Sequence, residues 1–337
     1  MITKKEIEKI DSQQMFKIYD DWPKIARSSF KMNLKPLKLK NIDHIIFAGM
    51  GGSGAIGDIF SSILSKTKIH VNVIKGYLLP ETVDSNSLVI TVSVSGNTAE
   101  TLAVLESAKK KKSHIIAFSS GGKMEKFCIK NRIHHVKIPI HHSPRASFTA
   151  YLYAMLKVLH LPMNISEEEI LESILELEKM RQRINSSNLT KSNPAINMAK
   201  WITEIPMIYY PFGLQSVAVR FKNSLQENVK IHAISEDVVE ACHNGIVSWE
   251  RKSNVKPILL QGKDDYVKTK ERWRILKDFF DEKKIEYYEV NSINGSILIK
   301  VINLIYFLDY TTIYRAILSR VDPTPVKSIN YFKKRMT

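Results

Sequence analysis

The sequence predicts an α/β protein of two domains, each a parallel sheet with helices on both faces. Three observations predict it. The chain has 337 residues, and at roughly 100–200 residues per domain this suggests two domains with substantial cores. Short runs rich in β-branched residues alternate with helical patterns, which is typical of parallel sheets. The alternation occurs twice, on either side of a polar segment at 184–193.

The first half begins with a helical segment. Apolar residues near helical spacing, among them Ile7, Ile10, Met15 and Phe16, predict an amphipathic helix over residues 1–40 that ends around Pro36. A first domain is expected over 41–163, with one helix at 97–112. Its expected strands are 43–49, 69–74, 87–94, 114–120 and 134–140.

The second half begins with a linker. Ser166 and Glu169 have the spacing of a capping box, which predicts a helix through about Arg183. We expect a helical linker over 164–193 and a second domain over 194–337. The expected strands are 205–212, 229–234, 256–261 and 285–290. The expected helices begin at about Leu214 and lie near 266–280 and 296–319.

Composition narrows the class of protein. With 44% hydrophobic and 25% charged residues, the chain is not expected to be disordered, collagen-like or held by disulfides. Every stretch free of charged residues is too short to predict a membrane-spanning helix. The charged N-terminus lacks the apolar run of a secretory signal. Cys128 and Cys242 form no CxxC pair and are expected to be reduced residues of a cytoplasmic protein.

The net charge is +16, from 50 Lys and Arg against 34 Asp and Glu. Such an excess fits nucleic acid, a membrane surface or an anionic small molecule. The basic run 109–112 lies at the end of the predicted helix 97–112, where cations complement the helix dipole. We therefore expect neither a nucleic-acid partner nor a membrane partner.

A glycine-rich loop, Gly49-Met-Gly51-Gly52-Ser53-Gly54, follows the first strand. It matches GxGxxG, but the dinucleotide fingerprint also requires an acid near the end of the second strand. Here that strand ends in Val73-Ile74-Lys75, and no GKS or GKT is present. What the loop predicts is an anion site, because glycines let backbone amides approach a ligand at a helix N-terminus.

A second loop, Ser93-Val94-Ser95-Gly96-Asn97-Thr98, follows the strand at 87–94 and leads into a helix. Three hydroxyl groups around a glycine can saturate a terminal phosphate that is not cleaved. Phosphoryl transfer would call for a metal-binding acid and a lysine, and this loop has neither. The loop therefore predicts phosphate binding.

These two loops together resemble those of the sugar isomerase (SIS) family, whose SxSGNTxET loop grips the phosphate of sugar phosphates. The resemblance continues through three further segments and covers roughly 40–335, where it is to the bifunctional phosphoglucose/phosphomannose isomerases. The segments are Arg220–Lys230, Ala241–Asn244 and Val321–Lys327. The resemblance implies two SIS domains, each doubly wound and flavodoxin-like. It also implies a homodimer without metal or organic cofactor.

The resemblance further implies roles for single residues. Glu227 matches the base that moves a proton between C1 and C2, a task that needs a carboxylate near both carbons. His243 matches a ring-opening histidine that serves the neighbouring subunit's site. Arg145 matches an arginine that stabilises the enediolate. Thr324 and Lys333 match substrate-proximal residues, with Lys327 and Lys334 as alternatives to Lys333. The residues expected to hold the substrate phosphate are Gly52, Ser53, Ser93, Ser95 and Thr98.

The expected activity is the interconversion of glucose 6-phosphate, and of mannose 6-phosphate, with fructose 6-phosphate through a cis-enediol. Two alternatives stay open. The first is a non-catalytic SIS sensor of sugar phosphates, although residues 1–40 are too short for the helix-turn-helix such regulators often carry. The second is an SIS isomerase acting on another sugar phosphate, although those enzymes commonly have a different domain layout.

Overall fold

The structure is a computed structural model and describes residues 2–39 and 42–336. The chain divides into two compact units that interleave along the sequence. The first-sheet unit consists of Asp21–Leu177 and Gly295–Val301. The second-sheet unit consists of Met1–Asp20, Glu178–Asn294 and Ile302–Thr337.

The N-terminal segment forms three short helices in place of the single helix expected over 1–40. They are α1 (Lys4–Ile10), α2 (Met15–Asp20) and α3 (Trp22–Phe30). Thr3 and Glu6 cap α1 reciprocally. The Asp11 carboxylate accepts from the Phe16 amide at 2.8 Å, and Gln14 takes a positive φ of 56°. A capping carboxylate and a left-handed residue separate α1 from α2, which an apolar pattern alone does not reveal.

The first sheet has five parallel strands in the order β2-β1-β3-β4-β5. This is the flavodoxin-like order, and it confirms the fold predicted for this half. The strands are β1 (His44–Ala48), β2 (His70–Ile74), β3 (Leu88–Ser93), β4 (His114–Ser119) and β5 (His134–Lys137).

Helices cover both faces of the first sheet. They are α4 (Gly52–Leu64), α5 (Ala99–Lys110), α6 (Gly122–Asn131) and α7 (Phe148–Met163). The Phe47 ring of β1 stacks on Phe60 of α4, with ring centroids 5.0 Å apart. The neighbouring strand residue Ile46 packs in the cluster that holds Val104 of α5. Because successive strand residues face opposite sides, α4 and α5 lie on opposite faces, as predicted.

Two helices lead into the second sheet, α8 (Glu167–Ile184) and α9 (Pro194–Trp201). The start of α8 is as predicted, since the Glu169 amide donates to Ser166 Oγ at 3.1 Å. Asn193 caps α9 in the same way through the Ala195 amide, at 2.9 Å.

The second sheet has four parallel strands in the order β7-β6-β8-β9. They are β6 (Ile205–Tyr210), β7 (Ile234–Asp237), β8 (Val255–Gln261) and β9 (Tyr288–Asn291). This order repeats β2-β1-β3-β4 of the first sheet. The strand expected at 229–234 is wrong, because the chain forms a π-helical turn at Leu225–Val229 and pairs with β6 only from Ile234 onward.

The remaining helices belong wholly or mostly to the second-sheet unit. They are α10 (Gln215–Ser224), α11 (Val238–Ala241), α12 (Val267–Glu282), α13 (Ile297–Leu318) and α14 (Lys327–Lys333), with a 3-10 turn at Gly245–Glu250. Met207 and Leu259 of the sheet pack with Trp273 and Phe280 of α12. The alternate residue Ile208 is also fully buried. Both faces of this sheet are therefore covered as well.

Helix α13 is the one helix in the described chain long and apolar enough to cross a membrane, yet 89% of its most apolar stretch is buried inside the protein. Its tyrosines anchor other segments of the second-sheet unit. Tyr306 donates to the Tyr19 carbonyl and Tyr310 to the Asp20 carboxylate, both at 2.7 Å. Burial raises the pKa of both phenols well above its usual range. These contacts make α13 a core helix and attach residues 1–20 to this unit.

Candidate active site

The two loops singled out in the sequence meet at the carboxyl edge of the first sheet. Strands β1 and β3 are parallel neighbours, and β2 lies on the other side of β1. This is the switch point at which doubly wound sheets open a crevice for ligands. A Cβ added to Gly49 would lie 3.0 Å from the Val92 carbonyl oxygen. Glycine here lets the loop after β1 pass close to the end of β3.

The glycine loop turns directly into α4. Gly51 has a φ of +53°, and α4 begins at Gly52. A Cβ on Gly54 would lie 2.7 Å from the Gly49 carbonyl oxygen, so the turn is too tight for any larger residue. Ser53 is buried in the first turn of the helix. The Ser53 and Gly54 amides donate to the Met50 carbonyl at 3.1 and 3.3 Å, which fixes the loop at a helix N-terminus, a position that favours an anion.

The hydroxyl loop is held in shape by its own side chains. Ser93 Oγ and Thr98 Oγ1 are 2.9 Å apart, and the Asn97 amide donates to Ser95 Oγ at 3.3 Å. Ser93 is buried, Thr98 is half-buried and Ser95 is exposed. The three hydroxyl groups thus form a cluster whose exposure increases from the end of the sheet to the surface.

The same loop is pinned to the start of α6. Gly96 has a φ of +68°, and a Cβ there would lie 1.8 Å from the Gly121 carbonyl oxygen. The Lys123 amide donates to Asn97 Oδ1 at 3.0 Å. Asn97 belongs to the loop predicted from the sequence but not to the residues expected to hold the phosphate, and Gly121 was missed. The signal for Gly121 was the second strand-to-helix glycine turn, Gly121-Gly122, after β4.

Arg145 lies beside the glycine loop, as a Cβ on Gly52 would be 3.4 Å from the Arg145 Cα atom. Arg145 is only 6% exposed. The turn before α7 is fixed by Ser147, whose hydroxyl accepts from the His141 amide at 2.8 Å and donates to the Ser143 carbonyl at 2.9 Å. The structure therefore places the backbone of Arg145, a buried residue, next to the first turn of α4.

Glu227 lies in the π turn Leu225–Val229, directly after α10, and is half-buried. Such turns often occur at functional sites. The helix before it is bound to α13 by a buried ion pair. Arg220 donates to Asp309 Oδ2 through Nε at 3.0 Å and Nη2 at 2.6 Å, and Ser224 donates to Asp309 Oδ1 at 2.8 Å.

The residues after α10 extend the same attachment. Asn228 Nδ2 donates to Thr312 Oγ1 at 2.8 Å, so Arg220, Ser224 and Asn228 contact α13 at intervals of four residues. Polar residues at i, i+4 and i+8 of a buried helix were the available signal for this network, which sequence reasoning missed. The network holds the backbone on both sides of Glu227.

Lys230 joins the π turn to the segment that carries Thr324. It has a positive φ of 64°, and its ammonium group donates to the Glu227 carbonyl and, at 3.0 Å, to the Pro323 carbonyl. The Thr324 amide donates to Asp322 Oδ1 at 2.9 Å. Two predicted site segments, distant in sequence, are therefore linked through one lysine.

His243 and Lys333 lie apart from these contacts. His243 is exposed on the turn after α11, where its backbone amide donates to the Glu240 carbonyl at 2.9 Å. Lys333 ends α14, a helix without a buried residue. The structure places no described side chain within hydrogen-bonding distance of either side chain, so it does not bring these two residues together with the others.

Comparison with known proteins supplies the family. Residues 38–163 match the model of the SIS domain, and residues 191–336 match that of the bacterial phospho-glucose isomerase C-terminal SIS domain. The bifunctional phosphoglucose/phosphomannose isomerase of Caldicellulosiruptor bescii is 33% identical over 311 residues, which are 89% of this chain and 91% of the relative. This chain belongs to the bifunctional phosphoglucose/phosphomannose isomerase family.

A second relative supports the same family, and a solved structure supports the same fold. The relative of the same name from Thermoplasma acidophilum is 31% identical over 87% of this chain and 90% of its own length. A hypothetical protein from Thermus thermophilus has the same fold, with a TM-score of 0.75 and 14% identity over 99% of this chain and 93% of that one. The resemblance and the fold predicted from the sequence are thus confirmed.

Proposed function

We propose that this protein interconverts glucose 6-phosphate and mannose 6-phosphate with fructose 6-phosphate. The observation that carries the proposal is the pair of preformed loops at the switch point of the first sheet, in a chain several of whose relatives bear the name of this isomerase. A proton moves from C2 to C1 through a cis-enediol while a second proton moves from O2 to O1. No redox partner is needed because one carbon is oxidised as its neighbour is reduced.

The phosphate group occupies the edge formed by the glycine and hydroxyl loops. Ser53, Ser95 and Thr98 supply hydroxyl donors, Ser93 supports Thr98 at 2.9 Å, and Gly52 opens the first turn of α4. Neutral donors suit a phosphate that is held and not transferred, because they bind the dianion without activating its ester bond.

Glu227 acts as the base that carries the proton between C1 and C2. Arg145 stabilises the negative charge that develops on the enediolate oxygen, since a buried cation is worth more there than in water. Thr324 contacts the substrate near C2, so that either configuration at this carbon is accepted. Its proximity to Glu227 through Lys230 supports this assignment.

His243 opens the sugar ring in the active site of a neighbouring subunit, and Lys333 provides a further substrate-proximal cation. The exposure of both residues is consistent with roles outside their own surroundings. Val247, four residues after His243 in the sequence, is 57% exposed, and an exposed apolar side chain is well suited to contact with a second copy. We retain the homodimer, the cytoplasmic location and the domain limits 1–40, 41–163, 164–193 and 194–337 as parts of this proposal.

The test is a coupled assay of the purified protein on glucose 6-phosphate and on mannose 6-phosphate. We expect turnover of both, and in D₂O we expect deuterium at C1 or C2 of the product by NMR. Glu227→Gln should lose about 10²–10⁴-fold in kcat on both substrates, because that is the usual contribution of general acid–base catalysis. Glu282→Gln, at the exposed end of α12, is the control and should leave kcat unchanged.

Three results would contradict this function. Turnover of neither substrate would favour a sugar-phosphate sensor, turnover of one alone would indicate a specialist, and full activity of Glu227→Gln would exclude Glu227 as the base. Circular dichroism of Glu227→Gln separates loss of the base from loss of the fold.

The role of His243 across subunits has its own test. Inactive Glu227→Gln and His243→Ala subunits are mixed after dissociation and allowed to reassociate. If His243 serves the partner's site, a mixed dimer has one intact site and activity returns. If mixing restores no activity although light scattering shows dimers, His243 does not act across the interface.

A further inference from the structure

The second sheet carries a basic cavity of about 230 Å³ at its carboxyl edge. Gln261 at the end of β8 and Asn291 at the end of β9 form its base. One face of α12 forms its wall, with Lys270, Arg274 and Lys277 spaced about one helical turn apart. The cavity lies entirely within the second-sheet unit and contains none of the residues assigned to the isomerase reaction.

All the charged residues that line this cavity are cations. Four cations line it, Lys263, Lys270, Arg274 and Lys277, and no acidic residue is among the described residues that do. Arg274 and Lys277 have carboxylate partners outside the lining, Asp278 at 3.0 Å and Glu289 at 3.2 Å. Within the described chain, the ammonium groups of Lys263 and Lys270 have none. These two ammonium groups are therefore the charges of the lining that a bound anion would neutralise.

The loop after β8, at the rim of the cavity, is held in one conformation by hydrogen bonds. Asp265 Oδ2 accepts from the Gly262 amide at 3.0 Å and from Trp273 Nε1 at 2.9 Å, and Trp273 is buried. A Cβ on Gly262 would lie 2.2 Å from Asp265 Oδ1, so a larger residue here would displace the Asp265 carboxylate. The Lys263 amide donates to Ser292 Oγ at 2.8 Å, which fixes the loop against the end of β9.

This position is the topological equivalent of the hydroxyl loop. Because β7-β6-β8-β9 repeats β2-β1-β3-β4, the loop after β8 corresponds to the loop after β3. In the first sheet that loop is pinned to the turn after β4, and in the second sheet the loop after β8 is pinned to Ser292 after β9. The carboxyl edges of the two sheets have equivalent loops that are pinned in the same way. Their donors differ, because the first sheet offers hydroxyl groups and the second offers ammonium groups.

We propose that the cavity bounded by Lys263, Lys270, Arg274 and Lys277 is a second anion site, which binds the phosphate group of a small phosphorylated molecule. Lys263 and Lys270 bind the phosphate directly, and Arg274 and Lys277, each paired with a carboxylate outside the lining, complete the wall. The cavity is larger than a phosphate ion needs, which leaves room for a short organic part against Gln261 and Asn291. The inference does not depend on the proposed isomerase function.

The test is isothermal titration calorimetry of the full chain with inorganic phosphate and with glycerol 3-phosphate. The titrations are made in a Ser95→Ala/Thr98→Ala background, so that binding at the first sheet is weakened. Lys263→Ala/Lys270→Ala should raise Kd about tenfold for each lysine removed, because each substitution removes a charge-assisted hydrogen bond to the phosphate. Added salt should weaken binding because these charges are exposed to solvent.

A matched control removes the same charge elsewhere. Lys268, paired with Glu271 at 2.8 Å, and Lys130 on α6 do not line the cavity, so Lys268→Ala/Lys130→Ala should leave Kd within about twofold of the background protein. If the two double variants bind alike, or if neither probe binds the background protein, there is no second site. Tighter binding of glycerol 3-phosphate than of phosphate identifies an ester ligand, and equal binding identifies free phosphate.

Folding and the first site are monitored separately. If Lys263→Ala/Lys270→Ala unfolds by circular dichroism, the single variants Lys263→Gln and Lys270→Gln replace it with the same expected direction. Isomerase kinetics of the Lys263 and Lys270 variants in the Ser95/Thr98 wild-type background report on the proposed function independently. A negative result for the second anion site therefore leaves the proposed isomerase function standing, and the reverse also holds.

Discussion

The two regions that hold the proposed catalytic machinery are fixed over different distances along the chain. At the edge of the first sheet, the hydroxyl loop is fixed by contacts within a few residues, such as Ser93 with Thr98, and by contacts 26 residues apart, such as Asn97 with the Lys123 amide. Around Glu227, the backbone is fixed by contacts between residues 84–89 positions apart, Arg220, Ser224 and Asn228 with α13. A phosphate needs many donors in a compact loop, whereas a proton-transferring base needs one carboxylate held by a rigid frame.

The difference also concerns charge. The phosphate edge is built from neutral hydroxyls and amides at a partly exposed surface. The frame behind Glu227 contains a fully buried Asp309 paired with a buried Arg220. Removing one partner of a buried pair leaves an uncompensated charge, so the frame is the more vulnerable of the two regions.

Asp309→Ala should have the largest effect, about 3–5 kcal/mol in the free energy of unfolding, because it leaves the Arg220 guanidinium buried without its carboxylate. Urea denaturation measures it. Asp278→Ala removes the carboxylate of an Asp–Arg pair on the surface of α12 and should cost at most about 0.5 kcal/mol. Equal costs for the two variants would mean that the frame is not held by this ion pair.

Gly96→Ala tests the local construction of the phosphate edge. The left-handed conformation costs a non-glycine residue roughly 1–2 kcal/mol, and the Cβ would collide with the Gly121 carbonyl. We expect KM for glucose 6-phosphate to rise about tenfold or more. Gly76→Ala is the control, as a Cβ there meets no atom within 4 Å. A KM equal to that of the wild type would show that the loop need not keep this shape.

Lys230→Met tests the link between the Glu227 turn and the Thr324 segment. Loss of hydrogen bonds worth about 0.5–1.5 kcal/mol each should lower kcat several-fold with little change in KM, since the phosphate loops are untouched. Steady-state kinetics separate the two constants, and Lys222→Met on α10 serves as the control. A rise in KM at unchanged kcat would assign Lys230 to ground-state binding instead.

The smallest expected effects are on pH dependence, and they have opposite signs in the two sheets. Burial lowers the pKa of His135 from its ordinary 6.5, so the folded state binds the proton less tightly than the unfolded chain. Stability from this group is lost as the pH falls below 6.5. The pKa of Glu236 is raised from 4.5 by burial, by Glu240 and by Asp237, so stability is lost as the pH rises through 4.5 toward the raised value.

Melting temperatures between about pH 4 and pH 8 measure both effects. On the acid side, the melting temperature of His135→Gln should fall less from its neutral-pH value than that of the wild type. The melting temperature of Glu236→Gln should exceed that of the wild type by most at pH values above the raised pKa of Glu236. Parallel curves for all three proteins would mean that neither group is coupled to folding.

Local patterns were read correctly where local physics decides the structure. The GMGGSG and SVSGNT loops form strand-to-helix turns, and Ser166 caps α8. The β-branched residues of 229–234 predict a strand, but Lys230 adopts a left-handed backbone and its ammonium group donates to the Pro323 carbonyl. Strand propensity depends on available neighbours, and pairing with β6 begins only at Ile234.

By itself, the sequence determined the class of fold, the two loops that predict phosphate binding, and the family. These depend on hydrophobic periodicity and on glycine and hydroxyl positions, which act over a few residues. Only the tertiary structure decided that Asp309 and Thr312 hold the helix before Glu227, that Lys230 joins it to the Thr324 segment, and that lysines converge at the edge of the second sheet. The physical reason is that burial and long-range pairing fix such contacts, and neither is visible until the chain has folded.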